Sequence, residues 1–166
     1  MSVLDIDAQP MPRDQSPLDG RQDVVVYQTA PFESPTRVEL ELWAASDAVG
    51  TDWTAKLVLV DEKWMAMNLT YGIMRARFRS GFDQEELLYP DVPNKYTIKM
   101  NPVRIEIQPG QRLRLDILSS DFPNFDRNHN TGKDFWTDSE LRIAKQTIFH
   151  DAEMPSQLLM PLLHKD

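Results

Sequence analysis

An alternation of two, repeated along most of the chain, limits what this sequence can fold into. In QRLRLDILSS (111–120), Leu113, Leu115 and Ile117 point one way and Arg112, Arg114 and Asp116 the other. That is the pattern of a half-buried β-strand, and Pro109-Gly110 just ahead of it supplies a turn. TRVELELWA (36–44) alternates in the same way, with Val38, Leu40 and Leu42 against Arg37, Glu39 and Glu41. WTAKLVLVD (53–61) and WMAMNLT (64–70) flank a very short connection and predict a hairpin. GIMRARFRS (72–80) sets Met74, Ala76 and Phe78 against Arg75, Arg77 and Arg79. DVVVYQT (23–29), KYTIKM (95–100), VRIEIQ (103–108), AKQTIFHD (144–151) and SQLLMPLL (156–163) supply the remaining strands. No segment carries a sustained 3.6-residue period with caps at both ends. Roughly nine short strands separated by turns predict an all-β sandwich or barrel, and an eight-stranded jelly roll fits that number.

Residues 1–21, rich in Pro, Asp and Gln and without periodicity, form a linker or an arm leading into one domain over 22–166. The first fifteen residues lack the basic start and apolar core of a secretory signal. No apolar run approaches membrane-spanning length, so a membrane setting is not expected. Cysteine is absent, which removes disulfides and thiolate metal sites and suits a reducing compartment, the cytoplasm. The net charge of −8 argues against nucleic-acid binding, which leans on phosphate neutralisation by Lys and Arg.

The segment with the most unusual composition is SSDFPNFDRNHNTG (119–132), which follows a clean strand. It suits a metal loop, a catalytic loop or a structural corner. Asp126-x-Asn128-x-Asn130 begins like a calcium loop, whose oxygen ligands alternate along the chain. The EF-hand spacing then needs Gly at the sixth place and Glu at the twelfth, where this chain has Thr131 and Thr137. No metal or other cofactor is expected. A hydrolase of the α/β type needs a nucleophile elbow, G-x-S-x-G, and the chain has none. The three histidines, His129, His150 and His164, offer little material for a triad. His150-Asp151 is more simply a polar strand end, and no catalytic residue is expected. The Arg75, Arg77, Arg79 stripe suits a phosphate or carboxylate ligand, but such a stripe is more often a solvated face or one paired with facing acids. Trp43, Trp53, Trp64 and Trp136 are candidates for a sugar-stacking platform. Among them Trp43 shares the parity of Glu39 and Glu41 and is expected on the polar face, covered by a loop or a partner domain.

SSDFPNFDRNHNTG, preceded by PGQRLRLDI, resembles the C-terminal domain of the X-prolyl dipeptidyl-peptidase and cocaine esterase family of serine hydrolases. So do GTDWTAKLVLV (50–60), MNLTYGIMRARFR (67–79), QTIFHDAEMPSQLLMPLL (146–163) and the opening PRDQSPLDGRQDVVVYQTAPFE (12–33). The resemblance runs from about residue 12 to 163, with the motifs in order. It implies a jelly-roll β-sandwich, similar to galactose-binding-like domains, that packs against an α/β-hydrolase domain carrying the Ser-Asp-His triad. Members of that family are serine hydrolases, dipeptidyl-peptidases or esterases. None of the matched positions is a triad position, so the implied role is a non-catalytic accessory domain whose partner is a hydrolase domain in cis or in trans, or a second copy of the chain. The segment 119–132 is then expected to be a corner and a docking or pocket-wall loop. Phe122, Pro123 and Phe125 would supply apolar contact, Asp126 and Arg127 would pair or bond backbone groups, and Asn128 and Asn130 would fix turns. A stand-alone carbohydrate-binding module is the alternative.

Overall fold

The computed structural model describes residues 21, 23–28, 39–101, 103 and 105–159. Most of the predicted arm and the last residues of the chain lie outside them. Among the described residues eight strands are found: β1 (Val25–Gln28), β2 (Glu39–Ser46), β3 (Asp52–Val60), β4 (Ala66–Arg75), β5 (Asn94–Ile98), β6 (Arg112–Leu118), β7 (Gln146–Phe149) and β8 (Gln157–Leu159). They form two antiparallel sheets. One has the order β1-β6-β3-β4; the other runs β5-β2-β7, with β8 pairing the first residues of β2. The chain is a β-sandwich.

The core follows from strand parity. Leu40, Leu42 and Ala44 of β2, with Tyr96 and Ile98 of β5 beside them, pack against Trp53 and Ala55 of β3 and Leu115 and Ile117 of β6 from the other sheet. Leu57, Leu59, Leu113 and Ile107 continue it towards the far end. The intervening β3 residues Val58 and Val60 join Ala66 in a small cluster of their own, so β3 is buried on both faces. The two sheets come together at Gly72, where a Cβ would lie 2.5 Å from the Lys99 carbonyl oxygen. Only glycine lets the backbones approach so closely.

Three expectations change. The segments 64–70 and 72–80 do not form two strands. β4 is continuous from Ala66 to Arg75 because β3 offers it an unbroken ladder, with one register shift at Leu57/Val58 that leaves Leu69 as a bulge. Past Arg75 the partner strand has ended; Ala76 N–H donates to the Thr51 carbonyl at 3.0 Å, and Ala76–Phe78 close into a 3-10 turn. The arginine stripe is therefore not one face of a strand. Finally, Val103 and residues 105–108 belong to no strand, although Ile107 is buried in the core. Their alternation serves burial without a ladder.

Candidate functional site

The corner 119–132 leaves β6 at Leu118 and crosses the end of the sandwich where β3 begins and β4 stops. Its first anchor is Asp121, buried, in an ion pair with Lys56 of β3 at 2.5 Å. The Asp121 carboxylate also accepts from Asn124 Nδ2 at 3.1 Å, and its carbonyl accepts from Phe125 N–H at 3.1 Å. The second anchor is Asn128, whose Nδ2 donates to Asp52 Oδ1 at 2.6 Å inside the protein. Asn128 Oδ1 accepts from Asn130 N–H at 2.9 Å, and Asn130 Nδ2 donates to the Arg142 carbonyl at 2.9 Å. Asn130 and Gly132 have positive φ, 63° and 76°; at Gly132 an added Cβ would meet Val49 Cγ2 at 2.9 Å. Asparagine tolerates that conformation and glycine adopts it freely.

Asp52 is 1% exposed. Burial pushes its carboxyl up to about 6, against the hydrogen bond from Asn128 and the nearby Arg75. Asp126 behaves in the opposite way: the bond from Arg75 holds its carboxyl below the usual range.

The arginine stripe explains how the loops are held. Arg75 bonds Asp126, and its guanidinium lies 4.4 Å from the Phe135 ring centre. Arg77, buried, bonds Glu85 at 3.1 Å and the Lys133 carbonyl at 3.1 Å, and stacks on the same ring at 4.6 Å. Arg79 reaches Glu86 at 3.0 Å and its carbonyl at 2.6 Å. Each arginine thus ties a loop acid to the end of β4. Asp126 pairs with Arg75 rather than with Arg127, which is exposed.

Around this frame the loops 80–93 and 133–145 converge on the β2–β3 connection. Leu88 N–H donates to the Val49 carbonyl at 2.8 Å, Asp91 N–H to that of Ser46 at 2.7 Å, and Lys145 N–H to Asp47 Oδ1 at 2.9 Å. Held this way, the loops carry large apolar side chains outward. Ile143 is 96% exposed, Trp136 91%, Phe82 85%, Tyr89 73% and Phe122 67%. Phe125 instead packs edge-on against Tyr71, ring centres 5.9 Å apart. Pro123 is exposed and follows a cis peptide bond.

The tryptophans do not gather. Trp53 is core, Trp43 is half-buried on the outer side of β2, and Trp64 and Trp136 sit beyond opposite ends of β4. His129 lies 3.8 Å from Asp138 and His150 rests against Tyr27; His164 lies outside the described residues. Among the described residues no serine hydroxyl bonds either histidine, and no group of three or more His, Asp or Glu could hold a metal. No described helix is long and apolar enough to cross a membrane.

Residues 7–159 match the X-Pro dipeptidyl-peptidase C-terminal non-catalytic domain, and the chain belongs to that family. It is 34% identical over 160 residues to a cocaine esterase of Rhodococcus sp. (strain MB1 Bresler), covering 93% of this chain and 28% of the relative. An aminopeptidase from a marine sediment Thaumarchaeota archaeon superposes with a TM-score of 0.86 at 27% identity, over 93% of this chain and 28% of that one. An α-amino acid ester hydrolase does so with a TM-score of 0.85 at 26% identity, over 92% and 28%. The chain therefore spans a little over a quarter of the length of these relatives.

Proposed function

We propose that this chain is the non-catalytic accessory domain of an X-Pro dipeptidyl-peptidase or esterase-type serine hydrolase, and that it packs on an α/β-hydrolase domain. The contact is made by the end of the sandwich where the corner 119–132 meets the loops 80–93 and 133–145. One observation supports this best: Phe82, Tyr89, Phe122, Trp136 and Ile143 are all well exposed on loops that arginine–acid pairs hold in place. Scattered exposed apolar residues are normal, but several on one set of adjoining loops suggest a surface that is covered in use. Tyr and Trp are favoured at such interfaces because a large apolar body carries a polar edge.

In this reading Phe122, Pro123, Phe125, Asp126, Arg127 and Asn130 form the corner that the hydrolase domain contacts. Phe122 and Pro123 would touch the partner, while Phe125, Asp126 and Asn130 shape the loop. Chemistry would belong wholly to the partner, so the isolated chain should hydrolyse neither esters nor peptides with proline second from the N-terminus. The setting that goes with this reading is the cytoplasm. Within the sandwich class we assign the domain to the jelly-roll, galactose-binding-like group, an assignment supported by non-consecutive strands lying side by side in both sheets.

Hydroxyl-radical footprinting tests the surface. Phe82, Tyr89, Phe122 and Trp136 should oxidise rapidly in the isolated chain and be protected in the assembled hydrolase. Equal oxidation in both would exclude this end as the contact.

A further inference from the structure

A second feature lies away from the loop end. On the side where β1 edges one sheet and β7 and β8 border the other, a cleft of about 320 Å³ runs between the layers of the described residues. Leu115 and Ile117 form one wall, Leu40, Ile148 and Leu158 the other. Tyr27 pairs with Leu115 in the β1–β6 ladder and so shares its face. His150, two residues beyond Ile148, shares that residue's face. The Tyr27 and His150 rings meet edge-on across the mouth, 6.1 Å apart at 76°, bridging the two sheets. Gln28 completes the rim.

The walls limit what enters. Among the described lining residues Arg114 carries the one permanent charge, and it is committed to Asp116 at 2.7 Å. Gln157 bonds Glu41 at 2.7 Å, and the Ser156 hydroxyl bonds the Trp43 N–H and the Phe149 carbonyl. An ionised group pushed between these walls would lose water without gaining a counter-charge. An aromatic ring would meet aliphatic side chains on both faces and aromatic edges at the mouth. Apolar pockets with a few polar groups at the rim are the usual form of small-molecule sites, and this volume is at the small end of their range. We infer that the cleft between β1 and β7 is a binding site for a small, uncharged, largely aromatic molecule with one hydrogen-bonding group at the Tyr27–His150 mouth.

Benzyl alcohol is a suitable probe, followed by amide chemical shifts of the isotope-labelled chain. Saturable shifts confined to β1, β6, β7 and β8 are expected, with a dissociation constant of about 1 mM for so small a ligand. Benzoate, of similar shape but ionised, should bind about tenfold more weakly or worse. Ile148→Trp should fill the cleft and abolish the shifts. If that variant does not fold, His150→Trp, an exposed change at the mouth, should weaken binding while leaving the spectrum dispersed. Shifts that fail to saturate, that survive both substitutions, or that benzoate reproduces at equal affinity would overturn the inference.

Discussion

Asn128 and Asp52, 76 residues apart in sequence, are joined by a 2.6 Å hydrogen bond from Asn128 Nδ2 to Asp52 Oδ1 in the interior. This bond fixes the corner 119–132 to the first residue of β3, and the position of the loop end follows from it. Asn128→Ala would leave a buried carboxyl without its donor. Such a loss costs about 1–3 kcal/mol. Urea unfolding should show the midpoint falling with the m-value unchanged.

The same pair makes stability depend on pH. The Asp52 carboxyl titrates near 6 in the folded chain against an ordinary value of 3.8. The folded state therefore holds the proton more tightly than the unfolded one. The stability this contributes is complete below about pH 4 and is lost as pH rises through 6. A shift of about two units corresponds to roughly 3 kcal/mol. Asp52→Asn keeps an acceptor for Asn128 and cannot ionise. The stability of that variant relative to the parent chain should therefore improve by about that amount between pH 4 and pH 7.5. A constant difference across the range would show that Asp52 does not titrate there.

Arg75 acts through charge and ring together, bonding Asp126 while lying over Phe135. Lysine keeps the charge but lacks the planar guanidinium. Arg75→Lys should allow the Asp126 carboxyl to rise towards its ordinary value, observable by carboxyl NMR titration. Limited proteolysis within 126–140 should also become faster.

At Gly72 the constraint is steric. A methyl group there would meet the Lys99 carbonyl oxygen at 2.5 Å, so the sheets must part. Gly72→Ala should cost about 1–3 kcal/mol, as overpacking does. For a chain of this size that lowers Tm by about 2–4 °C per kcal/mol in calorimetry.

The sandwich was legible because strands alternate, and the β2 and β6 sequences carry clean alternation. It was less legible where partners decide. Periodicity continues through Ala76–Phe78, but no strand remains there to pair with, so the chain turns. Residues 103–108 alternate too, yet among the described ones the result is burial of Ile107, with Ile105 packed against the same cluster, and no ladder. The corner stood out by composition, whereas its anchors did not. Asp52, Lys56 and Phe135 lie in unremarkable text, and only the three-dimensional crossing brings them to Asn128, Asp121 and Arg75. The exposed Trp136 and Ile143 carry no signal in a single sequence, because exposure is set by the loops that hold them.

Attachment to a serine hydrolase can be read out in the source cell. An antibody raised against this chain would capture the native material, and a fluorophosphonate probe would label any reactive serine in it. A labelled polypeptide is expected in the captured fraction. It would be either one band well above the 19.2 kDa of this chain, with the domains in cis, or a separate hydrolase held in trans. A 19.2 kDa chain captured with no serine-reactive polypeptide beside it would contradict the account.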